Sequence, residues 1–159
     1  MSTDLAEVIP FVGDSLDQDL GRVSIVRPSG TASEVDSTAA RTLRFVKDLN
    51  TKDTERLRGW FGDHSELWIP PSASRTGAAR ITQLFRVIFA QYAELRWTPE
   101  RCYIVDPQTV ITQMTSEGSF RDGRSYKNRV AMFQTFAADG TIARQADYFE
   151  DTSIFTPRR

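Results

Sequence analysis

Asp139-Gly140-Thr141-Ile142-Ala143-Arg144-Gln145-Ala146-Asp147-Tyr148-Phe149 reads as a turn followed by a strand, and that strand carries an acidic residue in a run otherwise suited to burial. A second unit of the same kind lies upstream, where Arg121-Asp122-Gly123-Arg124 leads into Ser125-Tyr126 and then Val130-Ala131-Met132-Phe133-Gln134-Thr135-Phe136. Asp-Gly suits tight turns because glycine adopts positive φ without steric penalty. Successive strands joined in this way predict a curved antiparallel sheet with a carboxylate set into it. Asp147 is therefore the leading functional candidate.

Further strands are expected at Ala93 to Thr98, Arg101 to Val105 and Thr109 to Ser119, with a turn at Asp106-Pro107. The segments before them read as helices. Asp36 or Ser37 can cap a helix that carries Ala39, Leu43, Val46 and Asn50 on one side, with Leu49 beside them, and ends at Asn50-Thr51-Lys52. Asp53 caps a short helix bearing Leu57, Trp60 and Phe61, and Gly62-Asp63-His64 turns into a strand from Ser65 to Ile69 that Pro70-Pro71 stops. The clearest helix places Ile81, Leu84, Phe85, Ile88 and Tyr92 on one stripe. Helices first and a meander of long strands afterwards predict an α+β domain, with helices covering one face of the sheet.

The chain has 159 residues, enough for one well-filled domain. Residues 1–35 read as an N-terminal extension and linker, whose apolar residues could form a short helix over a pocket mouth or a neighbouring subunit; residues 36–159 read as the domain. The 20 Lys and Arg against 21 Asp and Glu give a formal charge of −1 with both signs scattered, so no stripe tracks phosphates and nucleic acid is not expected as a partner. One cysteine, Cys102, and one histidine, His64, argue against a disulfide framework and a histidine- or cysteine-rich metal centre. No glycine-rich phosphate loop follows a strand, so neither metal, flavin nor nicotinamide is expected. Val8-Ile9-Pro10-Phe11-Val12 makes a poor signal peptide and no run approaches membrane-spanning length, so the expectation is a soluble, cytoplasmic protein.

The order of elements, with Trp60-Phe61-Gly62-Asp63, Gly77-Ala78-Ala79-Arg80-Ile81, Asp122-Gly123-Arg124-Ser125-Tyr126 and Asp139-Gly140-Thr141-Ile142-Ala143-Arg144, resembles the NTF2-like superfamily, and within it the SnoaL-like polyketide cyclases and limonene epoxide hydrolases. The resemblance implies a cone-shaped fold in which a strongly curved antiparallel sheet wraps the N-terminal helices around a deep, mainly apolar pocket. It further implies a cofactor-independent acid/base enzyme, a cyclase, isomerase or epoxide-opening hydrolase, acting on a hydrophobic polycyclic polyketide or terpenoid. The alternative is a non-catalytic module that binds a small molecule or dimerises. Asp147-Tyr148-Phe149 is similar to the hydrolase run whose Asp faces the pocket. The hydrolase's Arg/Asp pair on the preceding strand is missing from Ile111-Thr112-Gln113-Met114-Thr115-Ser116-Glu117, which leaves Gln113 or Glu117 for a modified arrangement. The pattern also departs from ketosteroid isomerases, since no Asp stands beside Pro70 and Met132 occupies the place expected of their hydrogen-bonding acid.

Other candidates follow. Asn128 shares a strand face with Val130, Met132 and Gln134 and is suited either to orient a substrate oxygen or to satisfy strand backbone. Glu66 and Trp68 alternate with Leu67 and Ile69, so either pair can face inward; Glu66 with Asp147 would supply two carboxylates. Asp147 itself has a structural alternative as an ion-pair partner of Arg129 or Arg144. His64, the only imidazole, is a candidate acid or base, or a turn residue that bonds locally. Trp60, Trp68, Phe85, Phe89, Tyr92, Trp97 and Phe149 are candidate pocket walls, although aromatic residues at such spacings are first of all core material. Tyr126 and Tyr148 are candidate donors to a developing oxyanion. Exposed apolar strand surface on Ser125 to Ala137 and Thr141 to Phe149 predicts a homodimer.

Overall fold

A computed structural model describes residues 7–10, 20–28 and 33–155. The strands are β1 (Glu7–Pro10), β2 (Ser24–Arg27), β3 (Glu66–Trp68), β4 (Arg75–Thr76), β5 (Tyr92–Asp106), β6 (Thr109–Phe120), β7 (Ser125–Phe136) and β8 (Ile142–Phe149). The helices are α1 (Ser33–Thr51), α2 (Thr54–Arg58) and α3 (Ala78–Ala90), and a short 3-10 turn at Ser153–Phe155 closes the described chain. All eight strands form one sheet in the order β1-β2-β5-β6-β7-β8-β3-β4.

Its body is the antiparallel meander β5-β6-β7-β8. In each hairpin turn an Asp carboxylate accepts a backbone N–H two residues on: Asp106 from Gln108, Asp122 from Arg124 and Asp139 from Thr141. The sheet is not antiparallel throughout. β2 joins β5 and β3 joins β8 in parallel, because each enters from a distant part of the chain rather than through a hairpin. Glu7–Pro10 and Ser24–Arg27, both in the stretch read as an extension, add two strands to the sheet edge, with Ile25 buried. The short helix considered for that stretch lies outside the described residues.

Three local expectations change. The two strands expected on either side of Pro99 are one continuous β5, with a register irregularity between Pro99 and Arg101. Proline lacks the N–H that a regular ladder needs, and an irregular step accommodates it. Tyr92 leaves the helical stripe and opens β5, where its ring stacks on Phe120 at 4.7 Å. The end of α3 is held instead by Arg121, whose Nε donates to Ala90 O at 2.7 Å and whose backbone N–H donates to Gln91 O. Helix α1 begins at Ser33, three residues before Asp36, and ends where Lys52 turns to φ 56°.

The core lies between the helices and one face of the meander. Ala39, Leu43, Val46 and Leu49 of α1 are buried as expected, joined by Phe45, whose ring meets Trp60 and Phe61 edge-on at 5.7 and 6.1 Å. Asp53 caps α2 through Glu55 N and Arg56 N. From β6 the inward side chains include Val110, Thr112, Met114 and Ser116; from β7 they are Tyr126, Asn128, Val130, Met132, Gln134 and Phe136. Strand β8 breaks the simple alternation. Phe136 pairs with Ile142 but Thr135 with Arg144, so Ala143 is an extra residue, and Ile142 points inward on the same side as Gln145 and Asp147.

β5 and β6 approach closely at Gly118, where an added Cβ would lie 1.9 Å from Glu94 O and 2.6 Å from its carbonyl carbon. Both atoms are backbone, so neither strand can yield without distorting the ladder. Gly118→Ala is expected to destabilise the fold by about 1 to 3 kcal/mol, the range of forced overpacking. Chemical unfolding of the purified variant checks this; an unchanged midpoint would mean that the strands do not meet so closely.

Candidate active site

A cavity of about 380 Å³ opens between α3, the loop after β3, and the inner faces of β5, β7 and β8. Its position follows from the local sequence. Leu84, Phe85 and Ile88 on the α3 stripe form one wall, and Pro70 and Pro71, which cannot continue β3 as a paired strand, form part of its rim. Tyr92, Trp97, Tyr126, Phe149 and Phe155 supply aromatic surface. Among the described residues that line it there is no Lys, Arg or His, and Asp147 is the one carboxylate.

Asp147 is 6% exposed. Its partner is its neighbour on the same strand face: Gln145 Nε2 donates to Asp147 Oδ1 at 3.3 Å. Among the described residues no cation pairs with it. Arg144, one of the two arginines considered for that role, points outward and pairs with Glu66 at 3.4 Å, and Arg129 is exposed. Burial pushes the Asp147 carboxyl up to about 7, and the Gln145 bond offsets only part of this. Across the cavity, Tyr126 Oη and Ser116 Oγ are hydrogen-bonded at 2.8 Å. Burial raises the Tyr126 hydroxyl, and Asp147 nearby raises it further; Tyr92, edge-on to Tyr126 at 5.2 Å, is raised chiefly by burial and next by Tyr126. Both phenols therefore stay protonated near neutral pH, with the Tyr126 hydroxyl shared among Ser116, Asn128 and Tyr92.

The structure brings Asp147, Phe85, Tyr92, Trp97, Tyr126 and Phe149 together at this cavity and leaves the other candidates outside its lining. Asn128 is buried outside the lining: Nδ2 donates to Asp151 O at 2.7 Å, Oδ1 accepts from Arg129 N and Asp151 N, and the amide also bonds to the Tyr126 hydroxyl. Glu66 and Trp68 lie on the outer sheet face because Leu67 and Ile69 take the inner one, so Glu66 does not join Asp147. His64 is in an exposed turn. Trp60 packs beneath α1, with Nε1 donating to Asp48 Oδ2 at 2.8 Å, and Phe89 stands behind Phe85 at 5.7 Å. Gln113 and Glu117 fall on the outward parity of β6, whose inner positions here are Thr112, Met114 and Ser116. Met132 is fully buried directly opposite Asp147 on β7. Tyr148 is on the outside.

Sequence reasoning missed Gln145, Leu95 and Phe155 as cavity residues. The parity that placed Gln145 beside Asp147 was available; nothing local announces that Phe155, beyond the last strand, folds back onto Phe149 at 5.0 Å. Among the described residues no three His, Cys, Asp or Glu side chains gather to hold a metal ion. No described helix is long and apolar enough to cross a membrane.

Residues 42–145 match the family model described as SnoaL-like domain. Solved structures with the same fold include an NTF2-like protein from Anabaena variabilis (20% identity, TM-score 0.66, covering 77% of this chain and 96% of that one). They also include an LEH-like epoxide hydrolase from M. tuberculosis (19%, 0.62, 74% and 86%). A third is SalBIII, an epoxide hydrolase/cyclase-like enzyme with a role in pyran ring formation in the polyether salinomycin (14%, 0.64, 73% and 92%). At these identities the likeness speaks for the fold. No curated protein matches the chain.

A buried carboxyl at about 7 has a definite effect on stability. Below the ordinary carboxylate range both folded and unfolded states hold the proton and Asp147 is neutral in its effect. As pH rises through that range the unfolded chain releases its proton while the folded chain keeps it, so stability falls, and the loss is complete above about 7. Asp147→Asn removes this penalty. Its melting temperature is expected to exceed that of the wild type at pH 8, with the gap closing towards pH 4; a gap that is constant or reversed would show that Asp147 is not a desolvated carboxyl.

Proposed function

From a chain that belongs to the SnoaL-like domain family, we propose a cofactor-independent enzyme that uses Asp147 for proton transfer on a hydrophobic substrate. That substrate is a polyketide- or terpenoid-like intermediate, and the reaction is a cyclisation, an isomerisation or an epoxide opening. The observation that carries this reading is a single buried carboxyl, pushed up to about 7, at an apolar aromatic cavity that offers it no cation. A group poised there is divided between base and acid at neutral pH, which suits it to take a proton and return it. The cavity, within the usual size range for small-molecule pockets, would select a neutral apolar molecule and fold it into a reactive shape.

Asp147 would act as the base, removing a proton from carbon or oxygen of the bound substrate. Tyr126 and Tyr92 would donate hydrogen bonds to the oxygen on which negative charge develops, in surroundings where such bonds are strong. Asp147 would then return the proton to the product. The missing Arg/Asp pair favours one-carboxylate chemistry over epoxide hydrolysis by a full triad. A binding module needs no carboxyl in its cavity, and the desolvation that Asp147 suffers there weighs against that alternative.

A second proposal concerns assembly. On the outer face, Trp68 and Phe133 both pack against Tyr148, at 5.2 and 5.3 Å, and Phe133 and Tyr148 remain 40% and 51% exposed. The same patch carries the exposed pair Glu66 and Arg144, so a second copy related by a two-fold axis would bring both signs of charge against it. A homodimer through this face follows as the expected assembly. Light scattering at micromolar concentration is expected to give twice the chain mass, and Tyr148→Glu half of that; a monomeric wild type would contradict it.

Catalysis is checked by incubating the protein with a panel of neutral cyclic epoxides and enolisable polycyclic ketones, with products read by mass spectrometry. Asp147→Asn is expected to lower turnover at least about a hundredfold, and Tyr126→Phe by a smaller factor. An Asp147→Asn protein that is folded and turns over at the wild-type rate would end the assignment.

A further inference from the structure

Behind Asp147 the interior is polar where the fold alone calls for hydrocarbon. Thr42 of α1, Gln134 of β7 and Gln145 of β8 are all buried, between 0 and 4% exposed, and they form a continuous row. Thr42 Oγ1 donates to Gln134 Oε1. Gln134 Nε2 donates to Gln145 Oε1 at 2.9 Å, and Gln145 Nε2 donates to Asp147 Oδ1 at 3.3 Å. Every donor in the row points towards Asp147. Two buried glutamines and a buried threonine are expensive places to spend core volume, since unpaired they would each be penalised by desolvation. Apolar residues of similar size would fill the space without that risk.

An amide is two-ended, an acceptor at oxygen and a donor at nitrogen, so its orientation at one end dictates what it offers at the other. With the Thr42 hydroxyl bound to its oxygen, Gln134 must turn its nitrogen to Gln145. Gln145 must then turn its nitrogen to Asp147. Reversal of any link would set the Gln145 oxygen against the carboxylate, which is tolerable only when Asp147 carries a proton. Bonds in such a row also polarise one another and strengthen the last donor.

We propose that Thr42, Gln134 and Gln145 are positioning residues, a one-way hydrogen-bond row that orients the Asp147 carboxylate and favours its ionised, proton-accepting form. This deepens the acid/base reading above and rests on it for its catalytic meaning. Among the described residues Gln145 is the one side chain that donates to the Asp147 carboxylate. Tyr126 from β7 senses the charge of Asp147, and Tyr92 from β5, which lines the same cavity, senses Tyr126 and Arg124; both phenols stay protonated near neutral pH. Helix α1 presents Thr42 and Leu49, α3 presents Leu84 and Phe85, the loop after β3 presents Ile69, and the 3-10 turn presents Phe155. From β6, Thr112 lies 3.5 Å behind Thr42 and 3.7 Å from Cys102 of β5, whose thiol burial pushes up to about 12. Glu66 of β3 is on the other face of the sheet.

The test is the titration of the Asp147 side-chain carboxyl by carbon-13 NMR on the full chain without ligand, its resonance assigned with Asp147→Asn. The midpoint is expected to rise by at least about half a unit in Gln145→Leu, which loses the direct donor, by less in Gln134→Leu, and by a smaller but measurable amount in Thr42→Val. Thr42→Ser restores the hydroxyl and is expected to titrate as the wild type. Should Gln134→Leu not fold, the nearly isosteric Thr42→Val and its serine counterpart carry the same comparison. Wild-type midpoints in Thr42→Val and Gln134→Leu would overturn the proposal and leave Gln145 as an isolated neighbour. Because the measurement needs no substrate, it stands apart from the turnover assay: a shifted titration with full activity in Asp147→Asn would keep the row and remove the catalytic reading.

Discussion

A carboxyl group buried at an apolar cavity, with no cation paired to it among the described residues, is the constraint on which this molecule turns. Placing Asp147 there opposes folding at neutral pH, so the rest of the domain has to hold it in place. Strand β8 does so from both edges, paired with β7 on one side and with β3 on the other. The neighbouring arginine is turned away by strand alternation and engaged by Glu66 on the outer face. One residue earlier, the extra Ala143 sets the phase that lets Ile142 seal the core while Gln145 and Asp147 still face inward. The site is thus a property of register, and a one-residue slip in β8 would put the carboxyl in solvent.

Much of the fold was legible because the hydrophobic period and the turn chemistry agree. The Asp-Gly turns, the Asp53 cap and the α3 stripe each name a local structure that little else can satisfy. What escaped was non-local. No feature of Glu7–Pro10 or Ser24–Arg27 says which strand they will join, and parallel edge pairings leave no hairpin in the sequence. Pro99 looked like a break because proline usually is one, yet a bulge absorbed it. Tyr92 continued the helical spacing by coincidence and took its place by stacking on Phe120.

The site was legible to a lesser degree. Asp147 stood out because an acid in a buried strand needs a reason. Its surroundings did not, since neither face of β8 is cleanly apolar and periodicity alone could not orient Glu66 against Leu67. Asn128 illustrates the limit: sequence left it either a substrate-orienting or a backbone-satisfying amide, and the structure has it hold the backbone of Asp151 and Arg129. Gln134 and Gln145 drew no notice as a pair because they are eleven positions apart and on different strands. Polar residues that recur on the inner parity of adjacent strands are a signal that can be sought from sequence once register is known.

The same arrangement explains a departure from the resemblance to epoxide hydrolases. The β6 run that lacks their Arg/Asp pair turns Thr112, Met114 and Ser116 inward, and among the described lining residues the cavity has one carboxylate, Asp147. The proposed chemistry therefore depends on the protonation of one group. Direct titration of the wild-type Asp147 carboxyl by carbon-13 NMR reads it most simply. A midpoint of about 7 is the predicted result; a midpoint in the ordinary carboxylate range, near 4, would show a solvated or ion-paired aspartate and contradict the claim that its burial is what the fold was built to sustain.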